Sequence, residues 1–163
     1  MTRLIEATRD IGGSLRMSFD AHRQTFDLCL DGGNLATDDG LATAVQISIF
    51  CDARIDAAEA QAQGIDDRRG YWADVFSQSG PWGSSLWAAR RAGVSSETAR
   101  IVEERARDAL QWLVQAGAAA RITTTGIAVT GRDSPYIALT VSVRRPPEIA
   151  ARYGALWEAT YAL

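Results

Sequence analysis

His22, Cys29 and Cys51 are the only histidine and cysteines in the chain. A zinc site would have to draw most of its ligands from carboxylates, against the nitrogen and sulfur sets that zinc prefers. A serine–histidine–aspartate triad would have to use His22, and no Gly-x-Ser-x-Gly turn accompanies it. Phosphate-loop and dinucleotide glycine fingerprints do not occur. The stretch Asp31-Gly32-Gly33-Asn34 with Asp38-Asp39-Gly40 is rich in oxygen donors. A calcium loop counted from Asp31, however, meets Gly33, Leu35 and Ala42 where ligands are required. Turn followed by helix cap is the better reading. Asp52 with Asp56, or Asp66 and Asp67 with Asp74, are carboxylate pairs of the type that cleaves glycosides, which needs two carboxyls about 5–10 Å apart. Twenty acidic residues supply such pairs by number alone, so they single out no site. No catalytic residue, metal ligand or cofactor follows from these residues. Cys29 and Cys51 sit in apolar stretches and are expected as buried free thiols.

The most distinctive chemistry is non-catalytic. Arg68-Arg69-Gly70-Tyr71-Trp72 places two guanidiniums beside two aromatic rings, the residue types enriched at protein interfaces. Two readings stand side by side. Either this stretch contacts a partner, or Trp72 plugs the core while Arg69 pairs with Asp52 or Asp74. Trp82 and Trp87 flank the next helix start, and Trp112 lies off the apolar stripe of its own helix. Trp112 therefore meets a second packed layer or another chain.

These residues need elements to position them. Phe26, Leu28 and Leu30 alternate as a short strand, and 31–34 turn the chain. Asp38 or Asp39 is expected to cap a helix over about 41–51, apolar nearly all round and so central to the fold. Residues 55–82 read as a long ordered loop with a little helix, the kind of segment that carries interactions. A short helix opens at Gly83-Ser84-Ser85-Leu86-Trp87 and stops at Gly93. Ser95 or Ser96 caps a long helix over about 95–116, in which Ala99, Val102, Ala106, Ala109, Leu110 and Leu113 form one stripe. A hairpin of about 119–144 follows. Gly126 is expected as a bulge that moves the inward phase to Ile127 and Val129. The tail, 149–163, reads as a last helical turn or two. The architecture expected is α+β: a small, mostly antiparallel sheet of the N-terminal strand and the hairpin, packed by the central and long helices. Residues 1–24 are expected as a partly flexible arm, with Met17 a second candidate start, and 25–163 as one domain.

The chain has 163 residues, enough for one domain. With 17 basic and 20 acidic side chains its net charge is −3, without the basic excess of a nucleic-acid binder. All 17 cations are arginine, each a planar fork suited to bidentate contacts. No apolar run is long enough to span a membrane, and the N-terminus lacks a signal-peptide core. Assembly in the cytoplasm is the expectation.

Several separated motifs, in order, resemble one family. They are Leu35-Ala36-Thr37-Asp38-Asp39-Gly40-Leu41-Ala42-Thr43-Ala44-Val45, then Ile49-Phe50-Cys51-Asp52-Ala53-Arg54, then Arg68-Arg69-Gly70-Tyr71-Trp72-Ala73-Asp74. Gly83-Ser84-Ser85-Leu86-Trp87, Ala109-Leu110-Gln111-Trp112-Leu113 and Leu156-Trp157-Glu158 complete the set. Over roughly 27–160 the chain is similar to the Mu-type phage tail baseplate protein family, and more distantly to the small wedge protein of contractile-tail phages. The resemblance implies a structural baseplate component in the virion tail, assembled in the host bacterial cytoplasm. Its partners would be other tail proteins (wedge, hub, sheath or tube-associated), with neither nucleic acid nor membrane insertion. It also implies that Asp52, Arg54, Arg68, Arg69, Tyr71, Trp72, Asp74, Gly83, Ser84, Leu86, Trp87, Trp112, Arg121 and Trp157 are partner contacts or motif anchors. The wider group carries Glu-Pro-Arg before the first hairpin strand. Here the place reads Ala119-Ala120-Arg121, so only the arginine is kept. The label of lysozyme-like protein sometimes given to the wider group leaves a tail-associated peptidoglycan hydrolase as the alternative function.

Overall fold

The structure is a computed structural model that describes residues 14–15, 17–20, 25–35, 37–38, 40–76, 82–131 and 134–163. His22, Ala36 and Asp39, which entered the reading above, lie outside the described residues. The contacts of the chain separate into two units, residues 1–45 and 46–163.

The first unit contains three short antiparallel ladders. Strand β1 (Ser14–Leu15) pairs with β6 (Thr37–Asp38), β2 (Met17–Asp20) with β3 (Thr25–Leu28), and β4 (Leu30–Asp31) with β5 (Asn34–Leu35). The expected strand through Phe26, Leu28 and Leu30 is thus divided between β3 and β4. Leu28 and Leu30 are exposed. The expected turn does form. Gly32 and Gly33 both take positive φ between the paired Asp31 and Asn34, the geometry of a two-residue hairpin loop. Helix α1 (Leu41–Phe50) begins with the Ala44 N–H donating to the Gly40 carbonyl. That bond puts Gly40, not Asp38, at its N-cap position, because Asp38 is engaged in β6. Leu41, Val45, Ser48 and Ile49 are buried, and only the stripe Thr43, Gln46 and Phe50 is exposed.

The second unit is built on a three-stranded antiparallel sheet in the order β7 (Arg121–Val129), β8 (Tyr136–Arg144), β9 (Leu156–Ala162). The fold class is α+β, as expected. The sheet's third strand is the C-terminal tail, however, and not the N-terminal strand, whose partners are the short ladders of the first unit. Only the start of the tail is helical, as α5 (Pro147–Tyr153). Gly154 at positive φ then releases the chain, so that Trp157, Ala159 and Tyr161 alternate inward along β9.

The long helix α4 (Ser96–Gln115) packs on β7 and β8. Ser95 caps it, its Oγ accepting the Thr98 N–H at 3.0 Å. At the other end Ala118 N–H reaches Leu113 carbonyl and Gly117 N–H reaches Val114 carbonyl, the paired bonds that close a helix through a left-handed glycine. Its buried stripe, Ala99, Val102, Ala106, Leu110 and Leu113, joins Ile137, Leu139, Val141 and Val143 of β8 in the core. Each fully buried Leu or Val in this layer is worth about 1.5–3 kcal/mol.

The expected bulge at Gly126 does not exist. Register runs unbroken from Arg121 opposite Arg144 to Val129 opposite Tyr136, and Ile127 faces outward, exposed. The glycine serves packing instead. A Cβ at Gly126 would sit 2.3 Å from the Ala99 carbonyl oxygen, so its absence lets α4 approach the sheet.

Candidate functional site

The segment between α1 and α4 carries most of the distinctive residues. It consists of α2 (Ala57–Ala62), a 3-10 turn (Trp72–Phe76) and α3 (Leu86–Ala89), the last continued by a 3-10 turn to Ala92 and stopped at Gly93. Asp56 caps α2 through its carboxylate to the Glu59 N–H. Ile55, Ala60, Ile65 and Ala88 form a small core of their own, with Trp87 packed against it.

Backbone and side-chain bonds staple this loop to the body. Ser84 and Asp52 form a parallel bridge, with Ser84 N–H donating to Cys51 carbonyl and Ala53 N–H donating to Ser84 carbonyl, both at 2.9 Å. The buried Ser84 hydroxyl donates to Ile49 carbonyl at 2.6 Å. Gly83 has φ +91, and a Cβ there would lie 2.1 Å from the Cys51 carbonyl oxygen. Gly83, Ser84 and the buried Leu86 are therefore the joint that holds the loop.

Arg69 is the centre of the staple. It has φ 47, a left-handed region costly for any residue that carries a Cβ. Three contacts hold it there. Its N–H donates to Asp67 Oδ1 at 2.8 Å, its guanidinium pairs with Asp52 at 2.5 Å, and the guanidinium lies 4.7 Å over the Trp87 ring. Of the two expected carboxylates, Asp52 is the partner. Asp74 instead accepts the N–H groups of Tyr71 and Trp82, at 3.1 and 2.8 Å. Trp87 Nε1 donates to Ala53 carbonyl at 2.9 Å. Arg68 Nε donates to Ile55 carbonyl and Arg54 donates to Arg69 carbonyl, so these cations serve the backbone of the loop.

The staple fixes a turn that points its apolar side chains outward. Trp72 is 74 % exposed, Val75 81 % and Phe76 76 %. The expected alternative, Trp72 as a core plug, is overturned; the ring that packs inward is Trp87. Tyr71 and Phe76 flank Trp72 at ring distances of 5.6 and 6.5 Å, and Trp82 lies 6.5 Å from Tyr71. Val75 and Phe76 escaped the sequence reading. Their positions three and four residues after Trp72 are the signal, since that spacing shares a face in a short helical turn.

The remaining residues are dispersed. Trp112 Nε1 donates to Ser48 Oγ at 2.9 Å, so it meets a second packed layer. Arg121 is exposed at the start of β7, and Trp157 is half-buried opposite Val143. Glu103 on α4 makes two contacts. One carboxylate oxygen takes Arg107, and the other accepts the Gly126 N–H at 3.2 Å on the outer edge of β7. Cys29 and Cys51 are free but half-buried, not buried. Desolvation, then Asp52 and Asp74, pushes the Cys51 thiol up. Among the described residues no group of three or more His, Cys, Asp or Glu could hold a metal ion. Among them too, no helix is long and apolar enough to cross a membrane.

Residues 41–149 match the model of the family described as phage protein GP46. The chain is 37 % identical over 116 residues to the baseplate protein gp46 of Escherichia phage Mu, covering 71 % of this chain and 79 % of that protein. It is 35 % identical over 98 residues to the Mu-like prophage FluMu protein gp46 of Haemophilus influenzae, covering 60 % of this chain and 65 % of that protein. The match runs from α1 through the stapled loop, α4 and the hairpin, the elements that carry the geometry above. The chain belongs to the GP46 phage protein family, the Mu-type baseplate family.

Proposed function

We propose that this protein is a structural subunit of a phage tail baseplate, a wedge element that links neighbouring wedge proteins, hub and sheath. It would be assembled in the host cytoplasm and reside in the virion tail. The observation that carries the reading is the outward-facing turn of Trp72, Val75 and Phe76 on a loop pinned by Arg69, Asp52 and Asp74. Rigid aromatic anchors presented on a fixed loop are what interface hot spots require, because little ordering entropy remains to be lost on docking. The similarity to a protein named for the baseplate supports the same reading. No catalytic step belongs to it.

A second contact is proposed at the sheet. Glu103 occupies an outward N–H of β7, which blunts that edge. Among the described residues β9 has a strand on one side only, and its run from Leu156 to Ala162 has no proline or lysine to deter pairing. An extended partner segment would add there through backbone hydrogen bonds.

The test is expression of the complete tail gene cluster carrying Trp72→Ala with Phe76→Ala. The doubly substituted protein is expected to keep its thermal midpoint, since both rings are exposed. Its incorporation into particles, read by mass spectrometry of purified tails, is expected to fall by at least tenfold, as for loss of about 2 kcal/mol at a hot spot. Normal incorporation of the folded variant would remove the turn from the interface.

A further inference from the structure

At the end of the sheet remote from the hairpin turn, Arg121 and Arg144 stand directly opposite each other in the β7–β8 register. Both belong to the outward, exposed set of their strands. Cβ atoms of such a pair lie about 5 Å apart, and like charges placed this way repel. Among the described residues neither guanidinium has an ion pair or hydrogen bond. Several other arginines are engaged, although among the described residues the exposed Arg90 and Arg91 of the short 3-10 turn are not. Arg100, Arg105 and Arg107 pair with carboxylates, and the buried Arg145 donates to the Gly154 carbonyl. Glu158, one row along, is engaged by Ser142. The same cross-strand row continues to Leu156, opposite Arg144 on β9 and 62 % exposed. The open face of the sheet thus ends in two unneutralised guanidiniums beside one bare apolar side chain.

We propose that the row Arg121, Arg144 and Leu156 is a docking site for an acidic segment of a protein partner. Carboxylates of that segment occupy the paired guanidinium forks, and an apolar side chain covers Leu156. Arginine forks take carboxylates in bidentate fashion, with strength and orientation together. Bringing a carboxylate between the two cations also removes their mutual repulsion, which makes the site worth more bound than free. Nucleic acid is disfavoured as the occupant. Two cations in one row make no stripe, Glu158 lies one row away on the same face, and the chain as a whole is at −3.

This inference deepens the baseplate reading and rests on it. Arg121→Gln with Arg144→Gln is compared with the wild type in two measurements. In isolation the double variant is expected to be as stable as the wild type or more so, because a like-charge pair has been removed. In particles assembled from the complete tail gene cluster, its retention after a low-salt wash is expected to fall about tenfold, the loss of roughly one charge-assisted hydrogen bond. Wild-type retention should decline as sodium chloride rises, and the variant's should not. A folded variant retained like the wild type, with the same salt dependence, overturns the docking site while the baseplate reading stands. A wild-type protein absent from particles overturns both. A gel shift of duplex DNA by the wild type, lost in the variant, overturns the acidic partner in favour of phosphate.

Discussion

Gly83 shows how much one position decides. Its φ of +91 and the 2.1 Å gap a Cβ would leave to Cys51 carbonyl mean that alanine strains the backbone and breaks the bridge to Asp52 together. Gly83→Ala is expected to cost about 3 kcal/mol, read as a fall in the urea unfolding midpoint. Arg69 is the counterpart, a non-glycine held at positive φ by its own contacts to Asp52, Asp67 and Trp87. These two residues explain why a motif that reads as an interface is partly internal. The Arg69 guanidinium is committed to the loop and to Trp87, and the Trp72 ring is what remains outside.

At the scale of elements, the contact between α4 and β7 determines the shape of the second unit. Gly126 lets the helix backbone approach, Thr124 Oγ1 donates to Glu103 carbonyl, and Glu103 accepts the Gly126 N–H. Gly126→Ala is expected to push the helix away and cost about 2 kcal/mol, again read from the urea midpoint; an unchanged midpoint would show that α4 is free to shift. The sequence does not distinguish this from a bulge, because a glycine inside a β-branched run signals either a kink or a close approach. The partner that approaches lies more than twenty residues earlier in the chain.

For the molecule as a whole, alkaline pH is the expected weak side. Burial raises the Cys51 thiol, with Asp52 and Asp74 adding to it, and burial raises the Tyr161 phenol, whose hydroxyl is buried without a hydrogen-bond partner among the described residues. Both groups hold their protons more tightly folded than unfolded. Stability is therefore full below the ordinary thiol and phenol range and declines as pH rises through it. Thermal midpoints from about pH 8 to about pH 11 should fall, and Cys51→Ser with Tyr161→Phe should flatten the decline. A flat wild-type profile would contradict the burial of both groups.

Local order was legible in the residues because local physics governs it. The Ser95 cap, the stripe from Ala99 to Leu113, the stop at Gly117, the turn at Gly32-Gly33 and the alternation of β8 all rest on neighbours within a few positions. The α+β class follows from them, and the order of the motifs carried the family. Pairings between distant segments were decided only by the tertiary structure. It joined the tail to β8 as β9, gave Arg69 to Asp52, turned Trp87 inward and Trp72 outward, and set Arg121 against Arg144. Each depends on which remote surface arrives to desolvate a side chain or complete a ladder, and residue type and spacing hold no record of that.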